Sequence, residues 1–133
     1  MTPFIEEAER LLRLARRDFQ AFAILDSHPE APFASVCFHA QQCAEKALKA
    51  VLTARQVYFR YTHDLEELTR LLTGAGISPP LASVEFQRLT PSAVELRYDE
   101  GVPLLTREEA SRIATRTLAW AEAIVKEIAG ASP

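Results

Sequence analysis

Four polar side chains recur at helical spacing along one stretch of the chain: His39, Gln42, Lys46 and Lys49, within the run F-A-S-V-C-F-H-A-Q-Q-C-A-E-K-A-L-K-A-V-L-T-A-R from Phe33 to Arg55. An ammonium and an amide that share a helix face can line a groove for an anionic ligand through charge-assisted hydrogen bonds. The same strip can face water, the usual place for the polar side of an amphipathic helix. His63, in T-H-D-L, either contacts such a ligand or decorates the first turn of a helix. Arg97-Tyr98 sets a guanidinium, which grips phosphate through two parallel bonds, beside a ring that can stack. Tyr58, Phe59, Arg60 and Tyr61 place three rings around an arginine. That set can stack a base or plug the end of a helical bundle, and the plug is the simpler expectation. The candidate ligand contacts are therefore Gln42, Lys46, His63, Arg97 and Tyr98, with no residue assigned as catalytic.

Other chemistries lack their residues. A di-iron bundle needs Glu three positions before His on facing helices, and neither His39 nor His63 has one. The four glycines stand at 74, 76, 101 and 130, near expected helix ends or in loops, so no glycine-rich loop cradles a phosphate. No G-x-S-x-G elbow occurs. Cys37 and Cys43 are six positions apart on the expected helix, about 120° around it and roughly 9 Å along it, too far to bond to each other. They read as two small buried hydrophobes, and neither metal nor cofactor is expected.

The elements that must position these groups are helices. In the Phe33–Arg55 stretch, apolar residues recur at Phe33, Val36, Cys37, Ala40, Ala44, Ala47, Leu48, Val51 and Leu52 in steps of three and four. Before it, Thr2 as cap and Pro3 in the first turn open a helix to about Asp26, with Phe4, Ala8, Leu11, Leu12, Ala15, Phe19, Phe22 and Leu25 on its apolar face. Glu6 with Arg10 and Glu9 with Arg13 are its expected ion pairs. Thr62 reads as the cap of a short third helix carrying Leu65, Leu68, Leu71 and Leu72, which Gly74 and Gly76 end. A fourth helix is expected from Ser78-Pro79-Pro80 through Leu81, Val84 and Leu89, then a turn from Ser92 to Tyr98 and a loop from Asp99 to Leu105. Thr106 and Glu109 form a capping box for a last helix that Gly130 closes. No stretch alternates like a strand. The expected fold is all-α: an up-and-down bundle of three long helices and one or two short ones, forming a single domain over residues 1–133.

At 133 residues, 48% hydrophobic and 25% charged, the chain has the composition of an ordinary globular domain. Its formal net charge of -3 disfavours a protein that coats nucleic acid, though it leaves room for a local basic pocket. No apolar run is long enough to span a bilayer, and M-T-P-F-I-E-E puts acids where a secretion signal has a basic start. A cytoplasmic location with no membrane contact is the expectation.

F-H-A-Q-Q-C-A-E-K-A-L-K-A at Phe38–Ala50, T-H-D-L at Thr62–Leu65 and R-Y at Arg97-Tyr98 before a long last helix together resemble the HEPN domain, the higher eukaryote and prokaryote nucleotide-binding family. The resemblance covers most of the chain. It implies a bundle of about five helices that is usually a homodimer, and its small prokaryotic members often pair with a separately encoded minimal nucleotidyltransferase, in some cases as toxin with antitoxin. Many HEPN proteins are metal-independent ribonucleases that use an Arg and, after four to six residues, a His. Here Val102, Pro103 and Leu104 fill the positions where that His would stand. The resemblance thus implies a non-catalytic nucleotide-binding module that serves a nucleotidyltransferase, with Arg97 as a ligand contact. A ribonuclease toxin with a rearranged site using Arg97 and His63 or His39, and a purely structural dimerisation subunit, are the alternatives; RNA is a partner only under the first of these.

Overall fold

The computed structural model describes residues 2–90 and 105–131. Arg97, Tyr98, the expected turn over 92–98 and nearly all of the loop over 99–105 lie outside the described residues. Five helices are described: α1 (Pro3–Asp26), α2 (Phe33–Ala54), α3 (Leu65–Gly74), α4 (Ser83–Gln87) and α5 (Arg107–Ala131), with no strand among the described residues. None of them is long and apolar enough to cross a membrane.

α1 begins as its residues dictate, with the Thr2 hydroxyl accepting from the Ile5 amide at 3.2 Å and proline following it. Its buried stripe is Ile5, Ala8, Leu12, Ala15 and Phe22, so Ile5 rather than Phe4 makes the first inward contact and Phe4 is left exposed. Arg10 reaches Glu7, at 2.6 Å from Nε to Oε1, instead of Glu6.

α2 is the axis of the bundle. It packs against α1, α5 and α3, and 15 of its 22 residues are buried, polar Gln41, Glu45 and Lys49 among them. An amphipathic helix needs one covered side; a helix flanked on three sides has little surface left for water. The small side chains Ala40, Ala44 and Ala47 are all fully covered at this centre. Arg107, at the start of α5, donates to the carbonyls of Asp26 (3.4 Å), His28 (3.1 Å), Pro29 (3.4 Å) and Ala31 (2.7 Å). One guanidinium thereby satisfies the backbone acceptors of the α1–α2 connection and fixes the start of α5 beside it.

Arg107 against the end of α1, and Arg16 against Glu122 at 3.2 Å, show that α5 runs antiparallel to α1. α2 also runs antiparallel to α1, so α3 and α4 carry the chain back along the bundle. Trp120 Nε1 donates to the Ser78 carbonyl at 3.2 Å midway, and Arg88 meets Glu109 at 2.8 Å near the start of α5.

Three expectations shift in detail. Asp64, not Thr62, caps α3, accepting from the Glu66 and Glu67 amides at 3.0 and 3.3 Å, because the Thr62 hydroxyl is occupied by the Asp64 amide at 3.1 Å. α4 is confined to five residues, since Pro79 and Pro80 keep the preceding chain extended; Phe86 is its buried side chain and Val84 is exposed. α5 continues one residue past Gly130. The capping box forms as expected, with the Glu109 amide donating to the Thr106 hydroxyl at 3.1 Å and the Thr106 amide to Glu109 Oε1 at 3.3 Å.

Candidate functional site

Gln41, Glu45 and Lys49 are spaced four apart on α2 and so form one row along the helix. A carboxylate shut away from water must be paired and hydrogen-bonded. Glu45, whose side chain is 4% exposed, takes Lys49 Nζ at 3.0 Å on Oε2, and Gln41 Nε2 at 3.2 Å with His63 Nδ1 at 3.0 Å on Oε1. Gln41 Nε2 also donates to the His63 carbonyl at 3.1 Å, which ties the α2–α3 connection to α2.

A carboxylate only accepts, so Nδ1 of His63 carries a proton toward Glu45 and Nε2 is the ring nitrogen turned to Tyr61. Nε2 meets the Tyr61 hydroxyl at 3.1 Å, and the Tyr61 ring stands edge-on to the imidazole with centroids 5.1 Å apart. His63 is 58% exposed, so an imidazole oriented from inside the core opens to solvent. Lys49 Nζ lies 5.9 Å from the centre of the Phe59 ring and 5.7 Å from that of Tyr61, where its charge interacts with both π faces.

A second network lies on the α1–α2 seam. Asp18 of α1 pairs with Lys46 and accepts from His39 Nδ1 at 3.2 Å. Beside it Cys43 is buried, and loss of solvent followed by the nearby negative charge of Asp18 pushes its thiol up to about 12, against a smaller opposite pull from Lys46. A raised thiol pKa means the reactive thiolate is scarce below it, roughly one part in ten thousand at pH 8. Cys43 is therefore expected to resist iodoacetamide in the native protein at pH 8 and to react fully in urea. Peptide mass mapping checks this, and prompt native labelling of Cys43 would contradict the burial.

The connection between α2 and α3 is held at both ends. Gln56 adopts φ 59°, the left-handed region that glycine usually fills after a helix, and the Val57 amide returns to the Leu52 carbonyl at 2.8 Å. Arg60 pairs with Glu67 of α3 at 2.6 Å. The plug reading fails for two of the three rings: Phe59 packs on the core, but Tyr58 and Tyr61 are 85% and 82% exposed. A cleft of about 280 Å³ opens here, lined by Phe4, Thr53, Gln56, Val57, Tyr58 and Phe59. A furrow of about 430 Å³ between α1 and α5 has no aromatic lining, and the Arg16–Glu122 pair spans it. Among the described residues no three His, Cys, Asp or Glu side chains are grouped to hold a metal.

Of the predicted contacts, Gln42 and His63 belong to one network, because Gln42 Nε2 donates to Gln41 Oε1 at 2.7 Å and Gln41 contacts His63. Lys46 is turned away from them to Asp18. Arg97 and Tyr98 lie outside the described residues. Glu45 and Gln41 are the members that sequence reading missed. The signal was the Q-x3-E-x3-K row beside the apolar stripe, which marks a buried polar ladder once α2 is known to be covered on three sides. Lys49, read as one of a strip that faces water or a groove, is buried against Glu45.

A model of the HEPN domain family matches residues 5–129. No curated protein matches the chain. Among solved structures, an archaeal HEPN homologue is similar to this chain with a TM-score of 0.51 and 26% sequence identity, covering 93% of this chain and 96% of the other.

Proposed function

The chain belongs to the HEPN domain family, and from that premise we propose that it is a nucleotide-binding module, dimeric, that serves as partner or substrate-binding subunit of a minimal nucleotidyltransferase. The observation that carries the ligand half of this reading is the corner where α2 meets α3. There a buried carboxylate holds an outward imidazole, His63, next to the exposed ring of Tyr61, and Arg60, paired with Glu67, belongs to the same connection. A nucleotide needs a donor or cation for phosphate and a flat surface for its base, and both kinds of group are present within one short connection. Gln42 extends the polar surface through Gln41, Lys46 stands one helical turn from Gln42 on α2, and Arg97 and Tyr98 are assigned as further contacts from the family resemblance. The partner half of the reading rests on family membership.

Calorimetric titration with ATP and other nucleoside triphosphates, with and without a co-purified nucleotidyltransferase, tests it. Saturable binding is expected, weakened about 10-fold in His63→Ala, the loss of one charge-assisted or well-aligned hydrogen bond. No heat in either format would remove the nucleotide claim.

One observation favours a second reading, the metal-independent ribonuclease. A carboxylate that fixes the tautomer of an exposed imidazole is an arrangement suited to proton transfer near neutral pH. Cleavage of RNA in chelator by the wild type but not by His63→Gln would support that reading, and equal activity in both would reject it.

A further inference from the structure

The cleft at the end of α2 is separate from the His63 hydrogen bonds yet adjoins them, because Phe59 lines it while its ring also faces Lys49 Nζ at 5.9 Å. Its walls are rings and one aliphatic side chain: Phe4 from the start of α1, and Val57, Tyr58 and Phe59 from the connection. Polar groups stand at Thr53 and Gln56, a hydroxyl and an amide that can both donate and accept. At about 280 Å³ it falls just below the roughly 300 Å³ at which pockets take a whole drug-sized ligand, so it suits part of a nucleotide.

The geometry of the connection keeps this cleft open. A non-glycine residue in the left-handed region is uncommon, and Gln56 at φ 59° contributes an amide to the wall that glycine would lack. The turn it makes is pinned by the Val57–Leu52 hydrogen bond, so the Tyr58 and Phe59 backbone leaves the helix in a fixed direction. Tyr58 remains 85% exposed, and among the described residues no hydrogen bond holds its hydroxyl and no ring stacks on it. Arg55 and Arg60, both exposed, flank the aromatic segment in sequence; Arg60 is held by Glu67, and Arg55 supplies positive charge for an anionic tail.

We propose that this cleft is a nucleobase seat, in which the base of a bound nucleotide stacks on Tyr58 and Phe4 and its edge meets Thr53 and Gln56. The inference rests on the nucleotide-binding reading and deepens it: recognition at this end is of a flat heteroaromatic ring, with phosphate contacts secondary. Rings on the walls, an amide at the edge and an arginine next to Gln56 in sequence match a base that carries a phosphate. A purely aliphatic ligand would use neither the amide nor the arginine.

The test measures the affinity of the full chain for adenosine, AMP and ribose 5-phosphate in the wild type, Tyr58→Ala and Tyr58→Phe. Tyr58 is exposed, so its truncation leaves the fold intact, and far-ultraviolet circular dichroism verifies that. Tyr58→Ala should weaken adenosine and AMP about 10-fold, within the range that loss of one stacked ring produces. Tyr58→Phe should keep wild-type affinity, and ribose 5-phosphate should bind weakly and equally to all three proteins. Full AMP affinity in Tyr58→Ala would overturn the base seat and leave the nucleotide reading standing. An equal loss for ribose 5-phosphate would also overturn it, because the missing contact would then not be to the base. A wild type that binds none of the adenosine compounds, ATP included, would overturn both readings together.

Discussion

Glu45→Ala is expected to lower the unfolding free energy by about 3–5 kcal/mol, because it leaves the buried Lys49 ammonium without its carboxylate. Lys49 is buried and its hydrogen-bonding partner is Glu45, at 3.0 Å. The same change frees His63 Nδ1 and removes an acceptor of the Gln41 amide, so the hold of α2 on the connection loosens as well. Replacing both charges tells desolvation apart from packing. In Glu45→Leu with Lys49→Met the buried charges vanish together, and a hydrophobic pair of similar volume often restores or exceeds the stability of an ion pair. Urea denaturation followed by helical circular dichroism gives both numbers. A double variant as unstable as Glu45→Ala would mean that shape rather than charge holds this part of α2.

Phe86→Ala is the other change with a large expected cost, about 3–5 kcal/mol for a fully buried phenylalanine. α4 has five residues, too short to be stable alone, and its N-cap offers no side-chain hydrogen bond. It stays folded because the Phe86 ring is enclosed in the core while Glu85 and Arg88 reach Arg112 and Glu109 of α5. Those exposed ion pairs are worth little by themselves. Truncating the ring should therefore release α4 before the rest of the bundle. Amide hydrogen exchange would show Ser83–Leu89 opening first, with protection in α2 falling by no more than the global loss. Uniform loss of protection across α2 and α4 would instead mean that α4 unfolds only with the whole bundle.

The long helices were legible in the sequence because their signals are local. Thr2-Pro3 opens α1, Ser27-His28-Pro29 breaks the chain after Asp26, and Thr106 with Glu109 opens α5. The third and fourth helices were less so. Thr62 and Asp64 are both good caps, and the choice between them depends on a hydroxyl already engaged by the Asp64 amide, which sequence does not display. Val84 looked like an inward residue, but the register of a five-residue helix is set by whichever ring finds the core, here Phe86. At the candidate site the individual polar residues of α2 were visible, yet their partners were not. Lys46 and Lys49 are three positions apart, and the helix turns one toward Asp18 and the other toward Glu45. Which of two lysines meets which acid is decided by neighbouring helices. The aromatic segment carried two readings from the start, and burial decided between them: Phe59 closes on the core while Tyr58 and Tyr61 do not.

The proposed nucleotide site lies at the corner between α2 and α3. Titration of isotope-labelled protein with ATP, followed by amide resonances, tests this most directly, because it reports position as well as affinity. The predicted result is a saturable set of shifts concentrated on residues 53–64 and on the Gln41–Lys49 row, with residues along the α1–α5 furrow unmoved. Shifts confined to that furrow, or none at saturating nucleotide, would contradict it.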